Sequence, residues 1–223
     1  MFGLSAGGGH LPGVCAGLLY GAQTPGKIVI LSAAERSAQG KGTGMTHLFL
    51  TGEVQVGKST LIRRLLAAHP CWRLGGFRTV TRWEGRQGCV HLLPAHAGME
   101  ACTADNCVGI RDLETMRPVS RPEVFDRIGP GLLRPGRAEL LLMDELGTME
   151  RQAESFGSAV LGALDGDLPV LGVIKPRSSA LLDAVRAHPR VSLITVTLEN
   201  REKLLTNLEA WALENALPGL LNA

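Results

Sequence analysis

The sequence predicts an α/β fold with a mostly parallel central sheet, helices on both faces and one β-hairpin. Short apolar runs alternate along the chain with amphipathic segments of helical period, as in domains built from repeated strand–helix units. Several of these runs are apolar at every residue, which is typical of strands buried on both faces of a parallel sheet. With 223 residues, the chain is long enough for one such domain plus an extension.

Composition bears on the kind of partner. The 23 Lys and Arg residues and 21 Asp and Glu residues give a formal net charge of +2, so nucleic-acid binding is not indicated. Residues 11–22 are mildly apolar, but Pro and Gly interrupt them and no basic segment precedes them. The segment is too short and too broken to cross a membrane, and it is a poor match to a signal peptide.

The five cysteines follow no C-x-x-C spacing, and their odd number argues against a disulfide framework. A reduced, cytoplasmic protein is therefore predicted. Five Cys and His residues of one short region could in principle assemble a zinc site, but their spacing matches no common ligand pattern, which favours structural roles. The residues concerned are Cys89, His91, His96, Cys102 and Cys107.

Residues 1–44 differ from the remainder by being rich in glycine and poor in charge. We interpret them as a disordered N-terminal extension, with an upstream translation start as one explanation. Met45 stands where a domain of the predicted kind would ordinarily begin, so 45–223 is the predicted domain. Expression of residues 45–223 tests this hypothesis, because loss of folding or ligand binding would contradict it.

The first strand and helix flank a glycine-rich loop. The strand is predicted at 47–50, and the loop T-G-E-V-Q-V-G-K-S-T follows at 51–60. Gly52, Gly57, Lys58 and Ser59 fill the fixed positions of G-x-x-x-x-G-K-[ST], the phosphate-binding P-loop. Its backbone N–H groups and the following helix N-terminus bind phosphate oxygens. Lys58 adds a charge for the β- and γ-phosphates, and the Ser59 hydroxyl is placed to coordinate Mg²⁺.

Two further features of this segment matter. The helix after the loop carries Leu61, Ile62, Leu65 and Leu66 on one face and ends at His69-Pro70. Inside the loop, Gln55 occupies a position whose backbone can need a positive φ and where many P-loops have glycine. We therefore expect mild strain at Gln55, with an effect on affinity or rate.

The middle of the chain predicts a hairpin and then a long loop. Strands at 74–82 and 89–93 flank a turn at 84–88. Residues 94–122 show little periodicity and are interpreted as a functional or mobile loop that carries Arg111, Arg117 and Arg121. A short amphipathic helix is predicted at about 122–133.

The stretch 139–147, E-L-L-L-M-D-E-L-G, is an apolar run that ends in two carboxylates. Ligands of parallel sheets bind at the carboxyl ends of the strands, where Asp144 and Glu145 would lie. This is a Walker B pattern. Asp144 would hold Mg²⁺, and Glu145 would orient or deprotonate the attacking water.

The remaining chain continues the alternation. Helices are predicted at about 150–164, from 178 or 179 to 187, and at 200–217, with strands at 168–174 and 191–196. Lys175 follows one of these strands at the same edge as the loop. A role for Lys175 at the γ-phosphate and a solvated strand end are both open.

Four segments resemble the cancer-related nucleoside-triphosphatase family in order and spacing. They are T-G-E-V-Q-V-G-K-S-T (51–60), G-G-F-R-T (75–79), L-L-L-M-D-E-L-G-T-M-E (140–150) and T-L-E-N-R (197–201). The resemblance covers about 46–217 and implies a P-loop NTPase that hydrolyses several NTPs slowly with Mg²⁺. This chain departs from the family at Val54-Gln55, where Pro-Gly is usual, and in the loop at 94–122.

The site prediction combines the motifs with this resemblance. Lys58 and Glu145 are the predicted catalytic residues, and Ser59 and Asp144 the predicted metal ligands. The predicted nucleotide-binding residues are Gly52, Glu53, Val54, Gln55, Val56, Gly57, Lys58, Ser59, Thr60, Leu140, Leu141, Leu142, Met143, Asp144, Glu145, Leu146 and Gly147.

We therefore expect hydrolysis of ATP, GTP and other NTPs with broad base tolerance, because no Asn/Thr-Lys-x-Asp motif for guanine is present. A nucleotide or small-molecule kinase remains an alternative, with the arginines of 94–122 as a lid. A non-catalytic nucleotide switch is another. Glu145 favours hydrolysis, because an attacking water needs a carboxylate and a switch does not.

Overall fold

A computed structural model describes residues 46–114, 118–215 and 217. The extension predicted at 1–44 lies outside the described residues. The strands are β1 (His47–Thr51), β2 (Leu74–Glu84), β3 (Gln87–Pro94), β4 (Cys107–Asp112), β5 (Val119–Ser120), β6 (Leu140–Leu146), β7 (Val170–Ile174) and β8 (Val191–Thr195). The α-helices are α1 (Lys58–Ala68), α2 (Pro122–Leu132), α3 (Glu154–Asp165), α4 (Ala180–Ala187) and α5 (Arg201–Glu214). Short 3-10 turns lie at Met99–Ala101 and Ala104–Asn106.

In the described part of the chain, the strands form one sheet in the order β5-β4-β3-β2-β6-β7-β1-β8. The pairs from β2 through β6, β7 and β1 to β8 are parallel. The pairs from β2 through β3 and β4 to β5 are antiparallel. The predicted fold class is confirmed, and the predicted hairpin is β2–β3. Two more antiparallel strands extend it.

Each face of the sheet is covered by helices. On one face, Phe156 of α3 packs edge-on against Phe77 of β2, and α2 and α4 complete that layer. On the other face, α1 and α5 cover strand residues such as Leu50 and Leu142. The alternation along β1, with Phe49 in the first core and Leu48 and Leu50 in the second, explains why these three central residues are all apolar.

The prediction of a loop at 94–122 was wrong. The segment contains both 3-10 turns, β4 and β5, and β4 pairs antiparallel with β3. Cys107 and Val108 at the start of β4 are buried. Its strand character comes from hydrogen bonds to β3, a partner that local periodicity does not reveal. Of the three arginines predicted there, Arg117 lies outside the described residues.

Several boundaries also differ from the predictions. Helix α3 begins at Glu154 rather than at 150, because Gly147 N donates to the Glu150 side chain and Ala153 N donates to the Glu150 carbonyl. These bonds hold 147–153 in turns. Strand β7 begins at Val170, and α5 ends at Glu214.

The buried ring of His47 ties β1 to its surroundings. Its Nε2 lies 2.8 Å from the Leu164 carbonyl oxygen, and its Nδ1 accepts a hydrogen bond from Val170 N at 3.1 Å. These partners define the tautomer with the proton on Nε2. Burial lowers the pKa of His47 to about 4, with the nearby Arg190 and His188 acting in the same direction. The ring is therefore neutral at pH 7.

None of the helices in the described part of the chain combines the length and hydropathy needed to span a bilayer. In that same part, no group of three or more His, Cys, Asp or Glu side chains is arranged to hold a metal ion. Cys71, Cys89, Cys102 and Cys107 are free thiols. Hydrogen bonding with Cys107 and burial raise the pKa of the Cys89 thiol, so the Cys89 sulfur is protonated at neutral pH.

Candidate nucleotide-binding site

The loop between β1 and α1 has the backbone conformation that phosphate binding requires. Gly52 has a φ of 131°, and a side chain there would collide with the Val196 carbonyl oxygen. Gly57 caps α1 with a φ of 104°, in the left-handed region. Gln55 has a φ of 66°, so the positive φ expected at this position is present. In a residue other than glycine this conformation has a steric cost.

Lys58 is buried beneath this loop. Its Nζ donates to the carbonyl oxygens of Gly52 at 2.8 Å and of Glu53 at 2.6 Å. These two bonds hold the ammonium group at the centre of the loop, and they satisfy a charge that burial would otherwise penalise. The position of the ammonium group is thus fixed by the loop itself.

The two motifs meet at Ser59 and Asp144, which are far apart in sequence. Ser59 Oγ donates to Asp144 Oδ1 at 3.0 Å. Burial raises the pKa of Asp144, and the adjacent Glu145 acts in the same direction, while the Ser59 hydroxyl opposes the shift. The Asp144 carboxyl, which is costly to ionise, and the adjacent Ser59 hydroxyl together form a pair of oxygen ligands suited to a hard cation.

Glu145 lies next to Asp144 at the carboxyl end of β6. The peptide bond between the two residues is cis, and the pairing of β6 with β7 shifts register there. Glu145 N donates to Thr79 Oγ1 at 3.3 Å. Its carboxylate forms an ion pair with Lys175, whose Nζ lies 2.8 Å from Glu145 Oε1. Lys175 therefore lies at the site, paired with the predicted catalytic carboxylate.

A second carboxylate, Glu150, lines a small cavity together with Glu145 and is only 4% exposed. It accepts a hydrogen bond from Gly147 N. Burial raises the pKa of Glu150, and hydrogen bonds from backbone N–H groups and the charge of Lys175 oppose that shift. Glu150 thereby holds the turn that follows the Walker B strand.

The P-loop borders a cleft of about 440 Å³. Its lining contains most of the loop residues predicted from sequence together with Glu145: Gly52, Val54, Gln55, Gly57, Lys58, Ser59 and Thr60. Arg111, Lys175 and Pro176 complete the lining. Asp144 reaches the same place through its hydrogen bond with Ser59.

Other predicted site residues lie elsewhere. Glu53 is exposed at the loop, whereas Val56 is buried in the core. The apolar residues of β6 are buried in the sheet and do not line the cleft: Leu140, Leu141, Leu142, Met143 and Leu146. They position Asp144 and Glu145 rather than facing the cleft.

A smaller cavity of about 20 Å³ adjoins the cleft. Polar groups of Thr79, Arg111, Glu145, Glu150 and Lys175 contribute to its lining, and Gly147 also borders it. A polar cavity needs roughly 10–15 Å³ to hold one water molecule. The space beside Glu145 therefore has the size and the chemistry of a single-water site.

Sequence reasoning missed Thr79 and Pro176, and it placed Arg111 in a loop. The G-G-F-R-T segment marked the neighbourhood of Thr79. No local signal marks Arg111, since its position depends on the pairing of β4 with β3. Arg78, Arg82 and Arg86 do not line the cleft; Arg82 pairs with Glu84 and Arg86 with Glu114.

Comparison with known proteins decides the family. The family model described as NTPase matches residues 47–208, from the P-loop strand to the last helix. The chain belongs to this NTPase family. The matched range includes the P-loop and the carboxylates Asp144 and Glu145.

Relatives of this NTPase family member come from distant organisms. A protein of Methanosarcina barkeri named nucleoside-triphosphatase THEP1 is 31% identical over 72% of this chain and 93% of its own length. A mouse protein named cancer-related nucleoside-triphosphatase homolog is 27% identical, covering 74% of this chain and 95% of its own. The solution structure of a human cancer-related nucleoside triphosphatase superposes with a TM-score of 0.56 at 25% identity, covering 74% and 96% of the two chains.

Proposed function

We propose that this protein is a Mg²⁺-dependent nucleoside-triphosphatase that cleaves the γ-phosphate of ATP, GTP and other NTPs with broad base tolerance. The observation that carries the proposal is the contact of Ser59 Oγ with Asp144 Oδ1 at 3.0 Å, directly beside Glu145. It brings a phosphate loop, a pair of metal ligands and a candidate base to one point. The family and the names of the relatives agree with this activity.

The chain's own groups divide the work. The N–H groups of the P-loop and Lys58 bind the β- and γ-phosphates, and Lys58 exchanges its bonds with loop carbonyls for bonds with phosphate oxygens. Glu145 orients a water molecule in the small adjoining cavity and accepts its proton. Lys175 neutralises the γ-phosphate when Glu145 turns to the water.

Mg²⁺ fits the donor set. The Ser59 hydroxyl and the Asp144 carboxylate are adjacent oxygen ligands, and hard cations prefer oxygen. When bound there with a nucleotide, the ion would neutralise part of the negative charge of the phosphates. Burial of Asp144 favours this role, because the cation repays the cost of ionising a carboxyl whose pKa is raised.

Broad base tolerance is supported by the composition of the cleft beyond the phosphates. Exposed Val54 and Pro176 border it, and neither carries a side-chain donor or acceptor that would distinguish one base from another. The chain also lacks the Asn/Thr-Lys-x-Asp motif for guanine. Phosphates and metal therefore supply most of the binding free energy.

A kinase is the second candidate, because Arg111 lines the cleft. Arg111 is one of the arginines of 94–122 that the kinase alternative would use as a lid. Phosphoryl transfer to an acceptor requires room for that acceptor next to the γ-phosphate. The cavity beside Glu145 is about 20 Å³, which suits a water molecule. This size favours hydrolysis.

Phosphate release from ATP, GTP, CTP and UTP tests the proposal, with wild type, Lys58→Ala and Glu145→Gln measured with Mg²⁺ and with EDTA. We expect hydrolysis of all four by the wild type, about 10²-fold or greater loss in either variant, and loss with EDTA. A wild-type rate no higher than that of Lys58→Ala would refute an enzyme. Turnover that requires an added acceptor would instead identify a kinase.

A further inference from the structure

Strand β2 extends beyond the parallel sheet at the nucleotide edge. Its last pairing with β6 joins Arg78 to Asp144, yet β2 continues to Glu84. Six further residues span about 20 Å at roughly 3.3 Å per residue. We call the strand segments 79–84, 87–92 and 109–112 the projecting sheet, because they stand above the carboxyl ends of the parallel strands. It faces the P-loop across the cleft.

One face of β4 in the projecting sheet is directed at the site. A side chain at Gly109 would collide with the Met149 methyl group, and Met149 lines the small cavity beside Glu145. Residues two apart in a strand share a face, so Arg111 lies on the same face as Gly109. Arg111 accordingly lines both the phosphate cleft and the small cavity.

The charge of Arg111 is available to a ligand. The other cations of the cleft are engaged, Lys58 with loop carbonyls and Lys175 with Glu145. Among the residues that the structure describes, the Arg111 side chain has no ion-pair or hydrogen-bond partner, although the residue itself pairs with Gly88 in the sheet. Partial burial of a guanidinium without a partner has a desolvation cost. Charge-assisted hydrogen bonds to a bound phosphate would offset that cost.

We propose that Arg111 is a catalytic residue that binds the γ-phosphate from the projecting sheet and stabilises its negative charge during hydrolysis. The proposal rests on the proposed function. The water oxygen bonds to the γ-phosphorus, and the bond from that phosphorus to the β–γ bridging oxygen breaks. The electron pair of that bond stays with the NDP, and the water proton passes to Glu145. Arg111 remains protonated throughout and acts by charge and hydrogen bonding alone.

This arrangement places Arg111 in the same chain as the P-loop, on a paired strand rather than on a mobile loop. A donor held in place before the reaction costs no reorganisation when charge develops. The protein would therefore need no second protein to supply an arginine, and its rate should not depend on a partner.

The test compares Arg111→Ala and Arg111→Lys with Arg82→Ala, a change in an exposed arginine of the projecting sheet that pairs with Glu84 and lines neither cavity. We expect kcat to fall about 10²–10³-fold in Arg111→Ala. NDP affinity should change less than about threefold and melting temperature little, because NDP lacks the γ-phosphate. Arg111→Lys should recover only part of the rate, since an ammonium does not reproduce the guanidinium fork. Arg82→Ala should stay within about twofold of wild type.

Guanidinium at millimolar concentration provides a second readout. It should raise the rate of Arg111→Ala and leave Lys58→Ala inactive. A kcat of Arg111→Ala equal to that of wild type would overturn the inference. The inference would also fail if Arg111→Ala lost kcat and NDP affinity to the same extent and Arg82→Ala showed the same losses. Should wild type itself fail to exceed Lys58→Ala, the proposed function fails. The affinity for a non-hydrolysable NTP relative to that for NDP then tests Arg111 separately. Arg111→Ala should lower this ratio about tenfold, and an unchanged ratio would reject the inference.

Discussion

Lys175 and Glu145 form an ion pair at the cleft, with Nζ 2.8 Å from Oε1, and both side chains are about a quarter exposed, at 29% and 26%. The pair joins the end of β7 to the end of β6, at the edge of the sheet where we propose that the phosphates bind. In the proposed function, a γ-phosphate would compete with Glu145 for this ammonium.

Lys175→Met should therefore reduce the preference for NTP over NDP. A charge-assisted hydrogen bond contributes about 1.5–3 kcal/mol, so we expect a loss of about tenfold or more in the affinity ratio. Titration calorimetry with a non-hydrolysable NTP and with NDP measures it. Lys203→Met, an exposed change on α5, is the control and should leave the ratio unchanged. An unaltered ratio in Lys175→Met would exclude contact with the γ-phosphate.

Gln55→Gly should stabilise the loop. Gln55 has a φ of 66°, which glycine adopts without steric cost, although glycine loses more entropy on folding. We expect a gain of up to about 1 kcal/mol in free energy of unfolding, measured with urea. Val54→Gly is the matched control, because Val54 is exposed and not among the residues with positive φ. Val54→Gly should destabilise, so a result in which both variants lose stability equally would show that Gln55 is unstrained.

His47 should make the protein sensitive to acid. The folded-state pKa of about 4 lies below the ordinary value of 6.5, so the neutral ring's contribution is fully present above pH 6.5. It is lost as pH falls from 6.5 toward 4, at about 1.4 kcal/mol per pH unit. Between pH 7 and 4.5, His47→Gln should lose about 2–3 kcal/mol less than wild type in urea unfolding. The exposed His96→Gln should follow wild type. Equal losses in all three proteins would rule out His47 as the source.

Glu150 should change the free energy of unfolding with pH in the opposite direction to His47. Burial raises the pKa of this carboxyl, so folding is favoured at low pH, and that contribution is lost as pH rises through the raised value. As pH falls from 8 to 5, we expect the unfolding free energy of wild type to rise by about 1 kcal/mol relative to that of Glu150→Gln. The exposed Glu199→Gln should show no such trend. A pH-independent difference for Glu150→Gln would contradict the assignment.

Much of the site could be read from sequence because its two motifs are local. The loop from Gly52 to Ser59 specifies its own backbone, and the apolar residues before Asp144 specify a buried strand whose end faces the loop. Parallel strands place their carboxyl ends at one edge, which is why Ser59 and Asp144, both predicted from sequence as metal ligands, lie within hydrogen-bond distance of each other.

The antiparallel strands were not predictable in the same way. Strand β4 has only six residues, one of them Gly109, and its pairing with β3 lies across the turns at 99–106. The side of the strand that meets the site is decided by Met149, far along the chain. Since register and face are long-range properties, the position of Arg111 could only come from the structure.

Strand β2 runs without interruption from the core at Phe77 past Thr79, at the small cavity beside Glu145, and on to Glu84. Because no loop separates the part of β2 that packs under helices from the part in the projecting sheet, we expect the two parts to move as one body. We therefore expect nucleotide entry to need no closure of the projecting sheet over the P-loop. In stopped-flow measurements, the observed association rate should rise linearly with nucleotide concentration and show no plateau.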